Sequence, residues 1–160
     1  MGTKGRAIVK LDVEDLINKL NRALADEWYA YYQYWIGAKV VTGPMRDAIV
    51  QEMLEHAGDE LRHAGLLVDR IIQLNGTPLL SPDEWKKTSI CGYLPPLDPH
   101  VLKVLEQNIE AEQCAIGVYS ELLELTENKD PITYQMVLEI LQDEVEHEED
   151  LQALQEDIKG

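Results

Sequence analysis

A pattern that occurs twice constrains this chain more than any other feature. Glu27-Trp-Tyr-Ala-Tyr-Tyr-Gln-Tyr34 is followed, past a Pro break, by Glu60-Leu-Arg-His63. Glu112-Gln-Cys-Ala-Ile-Gly-Val-Tyr119 is followed, past another Pro break, by Glu144-Val-Glu-His147. Each half supplies a carboxylate with a tyrosine seven residues on, then a Glu-x-x-His pair. On a helix, residues three or seven apart share a face. The repeat therefore predicts four helices, each carrying polar groups on one side.

The apolar periodicity agrees. The first helix is expected over about 11–41, with Val13, Leu16, Leu20, Ala23, Glu27, Ala30 and Tyr34 on one face. Gly43-Pro44 stops it, and Pro44 suits the first turn of a second helix over 44–75. The inner stripe of that helix reads Ile49, Met53, His56, Glu60, His63, Leu67 and Leu74. Asn75-Gly76-Thr77-Pro78 terminates it. Residues 76–98, rich in Pro, read as a crossover with one short helix near 83–88. Asp98-Pro99 and Asp130-Pro131 each read as a cap followed by Pro at the first helical position. They start a third helix over 99–128 and a fourth over 131–157. The third carries Leu102, Leu105, Ile109, Glu112, Ile116, Tyr119 and Leu123 on one face. The fourth carries Val137, Leu141, Glu144, His147, Leu151 and Leu154. Two short turns and one long crossover give an all-α four-helix bundle, with helices two and three parallel and the whole of 1–160 as a single domain.

Composition excludes several classes of partner. Thirty acidic residues against 14 basic leave a formal charge of −16, which repels nucleic-acid phosphates and attracts cations. Lys4, Arg6 and Lys10 make at best a weak DNA-binding arm. No apolar run reaches the roughly 18 residues of a membrane span, and the first ten residues lack a secretory apolar core. A cytoplasmic location is expected. Two cysteines, Cys91 and Cys114, do not indicate a secreted disulfide scaffold.

Glu27, Glu60, Glu112 and Glu144 interrupt stripes that are otherwise apolar, with His63 and His147 one turn beyond two of them. An uncompensated buried carboxylate costs several kcal/mol. Four of them are incompatible with a net stability of about 5–15 kcal/mol. Two divalent cations would contribute four positive charges, matching four carboxylates. Any one of these residues alone reads more simply as a register error or a hydrogen-bonded core group; six at comparable depth point to metal.

This constellation resembles the ferritin-like di-iron carboxylate superfamily, over about 11–158. The resemblance implies that Glu27 and Glu112 are terminal ligands, that Glu60 and Glu144 bridge two metals, and that His63 and His147 each give one imidazole nitrogen. The 33-residue separation of Glu27 and Glu60 suits bacterioferritin-type spacing. Tyr34 falls where such proteins place a tyrosine beside the metals, and is the candidate catalytic, redox-active residue. Glu110 competes as a ligand but lies on the solvated stripe of Lys103, Glu106 and Gln113. Bacterioferritin binds haem through a Met directly after its helix-two ligand; that position is Leu61 here, so haem is not expected.

Within the superfamily the chain is most similar to the Dps-like proteins also called thioferritins, which combine a bacterioferritin-type centre with a hollow cage and a cysteine pair. The segment Glu144-Val-Glu-His-Glu-Glu-Asp-Leu151 shares that likeness, and Cys91 and Cys114 are the candidate redox pair. The resemblance implies a homo-oligomeric cage of twelve subunits, two iron ions per subunit (manganese or zinc also being accepted by such ligands), and Fe(II) with hydrogen peroxide or O₂ as reactants. The expected activity is that of a ferroxidase that stores ferric mineral and protects against oxidative stress. Glu52, Glu55, Asp59, Glu146, Glu148 and Glu149 either guide iron or form a solvated face. The rival readings are a rubrerythrin-like peroxidase or manganese catalase on the same fold, and a metal-storage assembly without enzymatic activity.

Overall fold

The computed structural model describes residues 2–160. Six α-helices follow in order: α1 (Thr3–Ala7), α2 (Val13–Val40), α3 (Arg46–Gln73), α4 (Trp85–Thr88), α5 (Val101–Thr126) and α6 (Pro131–Lys159). A 3-10 turn over Pro82–Glu84 precedes α4. Among the described residues there is no strand, only one isolated parallel bridge between Thr42 and His100. Among the described residues no helix is long and apolar enough to cross a membrane. The four long helices pair as two hairpins, α2 with α3 and α5 with α6, joined by the crossover.

Local chemistry explains most of the boundaries. Asp12 caps α2 by accepting the Asp15 N–H at 3.1 Å. At the end of α3, Asn75 adopts φ 65°, the Asn75 N–H donates to the Ile72 carbonyl, and the Gly76 N–H donates to the Ile71 carbonyl at 2.8 Å. Gly76 is needed there: a Cβ would lie 2.8 Å from the Ile17 side chain. Asp130 caps α6 through the N–H groups of Ile132 (3.2 Å) and Thr133 (3.1 Å), with Pro131 at the first position as expected.

Two helix starts differ from expectation, for one shared reason. Pro44 does not open α3, which begins at Arg46 after Met45 turns through φ 56°. Pro99 does not open α5; His100 caps it, Nδ1 accepting the Leu102 N–H at 3.3 Å. The Thr42 N–H donates to the Pro99 carbonyl and the Val101 N–H donates to the Thr42 carbonyl, both at 2.8 Å. This bridge holds both turns extended, so each helix starts two residues late. The helix α1 was not expected. It buries no residue.

The core lies in two clusters along the bundle. One gathers Leu16, Leu20, Leu24, Leu67, Ile71 and Ile140 with their neighbours. The other gathers Ile49, Met53, Val101, Val104, Leu105 and Leu151. Between them lies a buried layer of ionisable side chains.

Candidate metal centre

The layer is made by helix geometry. Glu27 comes from α2, Glu60 and His63 from α3, Glu112 from α5, Glu144 and His147 from α6; all six are at most 3% exposed. They form two overlapping groups, Glu27–Glu60–His63–Glu144 and Glu60–Glu112–Glu144–His147, which share Glu60 and Glu144. His63 Nδ1 lies 3.6 Å from Glu27 Oε2, 3.1 Å from Glu60 Oε2 and 3.3 Å from Glu144 Oε1. His147 Nδ1 lies 3.3, 3.5 and 3.4 Å from Glu60 Oε1, Glu112 Oε1 and Glu144 Oε2. One imidazole nitrogen and three carboxylate oxygens converge on each of two points. Ligand bonds near 2.1 Å in tetrahedral array give ligand–ligand edges of about 3.4 Å, and the spacings scatter around that value. Glu27 Oε2, Glu60 Oε1, Glu144 Oε2 and His147 Nδ1 are buried with no hydrogen-bond partner. Orphaned acceptors in an apolar interior want a cation, so the donor set fits two divalent ions.

Electrostatics agree. Burial, then the charges of Glu27 and Glu112, push Glu60 up to about 8. Burial, then Glu60 and Glu112, also raise Glu144. Burial opposes the charged form of His63, but the adjacent Glu144, Glu27 and Glu60 carboxylates outweigh it and hold its pKa above 6.5. The same balance, through Glu112, Glu144 and Glu60, raises His147. Without metal, protons crowd where positive charge is wanted.

A second tier of residues crosses between the halves. The Tyr34 hydroxyl of α2 donates to Glu112 of α5, and the Tyr119 hydroxyl of α5 donates to Glu27 of α2. Both tyrosines are buried, and burial followed by the neighbouring carboxylate raises each pKa. His63 Nε2 meets Asp143 Oδ2 at 2.8 Å, and His147 Nε2 meets Asp59 Oδ2 at 3.1 Å. Each imidazole thus turns Nδ1 inward and offers Nε2 to a carboxylate, the arrangement that orients metal-binding histidines. The repeat marks both tyrosines, but a role is expected from sequence only for Tyr34. Asp59 reads from sequence as an outward carboxylate, and Asp143 carries no expected role. The signal was present: both halves read Asp-Glu-x-x-His. Glu110 is exposed on α5. His56 was read as an inner-stripe residue only; it is buried, stacks on His147 at 3.9 Å between ring centroids, and faces Tyr34 edge-on.

Cys91 of the crossover and Cys114 of α5 form a disulfide, with Cα atoms 5.8 Å apart. A cavity runs from Cys91 and Gly92, past Ala30 and Ala115, to Glu27 and Glu112. Asp26, next to Glu27, fixes the cysteine loop: its Oδ1 accepts from the Ser89 hydroxyl (2.5 Å) and from the N–H groups of Ile90 and Cys91 (2.9 Å each).

Residues 17–160 match the ferritin family, described as a ferritin-like domain. The chain belongs to the ferritin-like family. This ferritin-like chain is 40% identical over 141 residues to a DNA protection during starvation protein of Pyrococcus furiosus, covering 86% of this chain and 75% of that one. It superposes with a TM-score of 0.97 on a dodecameric thioferritin, the bacterioferritin-related protein of Bacteroides fragilis, at 44% identity, covering 99% of this chain and 95% of that one. A Dps from Thermosynechococcus elongatus shares the fold at a TM-score of 0.83 and 20% identity, over 88% of this chain and 90% of that one.

Proposed function

We propose that the chain is a ferroxidase. The observation that carries this reading is the pair of overlapping donor sets sharing Glu60 and Glu144. Glu27 with His63 would hold one cation and Glu112 with His147 the other, with Glu60 and Glu144 between both. Two Fe(II) ions are the substrate. Together they release two electrons, and H₂O₂ with two protons takes up those two electrons to give two waters and two Fe(III). Molecular oxygen is the alternative oxidant. Holding both irons side by side is what lets a two-electron oxidant react without releasing a radical.

The chain's own residues supply the rest. Tyr34 and Tyr119 orient the terminal carboxylates, and Tyr34 is the candidate one-electron donor. Asp143 and Asp59 fix the imidazoles. The cavity lined by Ala30 and Ala115 would be the route for a small oxidant. The Cys91–Cys114 pair lies on that path; as two thiols it would give up two electrons and two protons on closing. Likeness to a dodecameric relative supports a homo-oligomeric cage, in which ferric mineral would be stored and peroxide removed in a cytoplasmic setting. The relative named for DNA protection raises nucleic acid as a partner. The net charge of −16 opposes it, and Arg6 of the N-terminal arm is paired with Glu14 at 2.9 Å.

The test is stopped-flow oxidation of Fe(II) with H₂O₂ or O₂ by wild type and by Glu60→Ala/Glu144→Ala. Saturable oxidation in the wild type, lost in the variant, is expected. A variant that keeps the full rate refutes the reading. Peroxide disproportionation by manganese-loaded protein, without Fe(II) oxidation, would instead make it a catalase.

A further inference from the structure

His56 has no role in the two donor sets above, yet its side chain is 2% exposed and neither ring nitrogen has a hydrogen-bond partner. Burying such a group unpaired is unfavourable. Its Nε2 lies beside two carboxylates: Glu52 Oε1 one helical turn back, at 3.1 Å, and Asp150 Oδ2 of α6, at 3.6 Å. The Glu52 contact is close enough for a hydrogen bond but lacks the direction for one. Glu52 is 30% exposed and Asp150 42%, so the group opens to solvent on its carboxylate side. Among the described residues their only salt-bridge partner is His56.

Two carboxylates and an imidazole converging without hydrogen bonds make a facial donor set. Bonds near 2.1 Å set at 90–110° place ligand atoms about 3.0–3.4 Å apart, close to the separations found. We propose that Glu52, His56 and Asp150 form a third divalent-cation site, distinct from the buried pair, with water completing its coordination. An imidazole with two carboxylates suits Fe(II), Mn(II) or Zn(II) over Ca(II) or Mg(II), which prefer all-oxygen sites. The site does not depend on the ferroxidase reading.

Zn(II) is the probe. Crystals of the wild type soaked in Zn(II), with data collected at the zinc edge, should show three anomalous peaks per chain, one of them between His56, Glu52 and Asp150. Glu52→Gln/Asp150→Asn should lose that peak and keep the other two, and calorimetric titration should fall from three ions per chain to two. Glu60→Gln/Glu144→Gln should keep the third peak while losing the central pair. Two ions only in saturated wild type overturns the proposal. So does an extra peak held by His56 with Glu112 and His147, another grouping within reach of a metal. A third peak without the central pair would leave this site standing and remove the ferroxidase centre instead.

Discussion

Tyr34 and Tyr119 occupy equivalent places but hold each other's carboxylates, so the two should respond differently to the same small change. Removing the Tyr119 hydroxyl frees Glu27 without touching a proposed electron donor. Tyr119→Phe is expected to weaken metal binding on the His63 side by about tenfold, as loss of an orienting partner does. Tyr34→Phe is expected to do the same on the other side and also to change the oxidation kinetics; rapid-freeze electron paramagnetic resonance should lose a tyrosyl signal in this variant only. Asp143→Asn and Asp59→Asn should each lower Zn(II) affinity by about 10–100-fold in a titration at neutral pH, with helicity unchanged. The protonation pattern gives a pH test. In the metal-free protein Glu60 rises from 4.5 to about 8, and His63 and His147 rise above 6.5. Folded chains therefore bind more protons than unfolded ones from about pH 4.5 upward, and stability must fall as pH rises through that window. Glu112 and Asp143 are held low by their histidine partners against the effect of burial; their contribution is present at neutral pH and is lost only in acid. Calorimetry on chelator-treated protein should show Tm falling between pH 5 and 9. Metal displaces the protons, so loaded protein should lose this slope. A chelated sample with a flat profile would contradict the arrangement of charges.

At the scale of the helix, what the sequence made legible was whatever a helix encodes by itself. Stripes repeating at three and four residues placed Glu27, Glu60, His63, Glu112, Glu144 and His147 on inner faces, and all six are buried there. Asp130-Pro131 and Asn75-Gly76 marked real ends because their capping bonds are local. Pro44 and Pro99 misled because Thr42, distant in sequence, bonds the backbone of Pro99 and Val101. Asp59 and Asp143 were hard to see for a similar reason: each reads as an outward residue on its own helix, and only the partner helix supplies its imidazole. The crossover was legible as irregular, but not its fastenings. Asn21 accepts the Leu79 N–H at 3.0 Å, and Gln33 accepts the Leu94 N–H at 2.9 Å; with Asp26 they make α2 a rail along which the segment is laid. The start of α6 is fixed more strongly. Arg70 donates to both oxygens of Asp130, at 2.9 and 3.0 Å, and to Thr133 at 2.8 Å. Asp130→Ala removes a helix cap and leaves a buried guanidinium unpaired, so a loss of about 3–5 kcal/mol is expected in urea unfolding. A loss below 1 kcal/mol would mean the guanidinium finds water.

At the scale of the whole molecule, a polar layer divides the apolar interior in two, and the crossover is pinned to α5 by one covalent bond. The disulfide closes a loop of 23 residues in sequence separation. By the loop-entropy relation this constrains the unfolded chain by about 3 kcal/mol, so reduction should lower Tm by several degrees while leaving helicity intact. If reduction leaves Tm unchanged, the loop is already ordered in the unfolded chain. Neither hairpin completes a donor group alone: Glu144 completes the His63 group and Glu60 completes the His147 group. Two metals bound there would therefore act as a pair of rivets through both halves. Any excursion that parts the hairpins must surrender both ions together, so hydrogen exchange in α2 and α6 should slow in concert on loading, and no half-open species should survive to meet a protease.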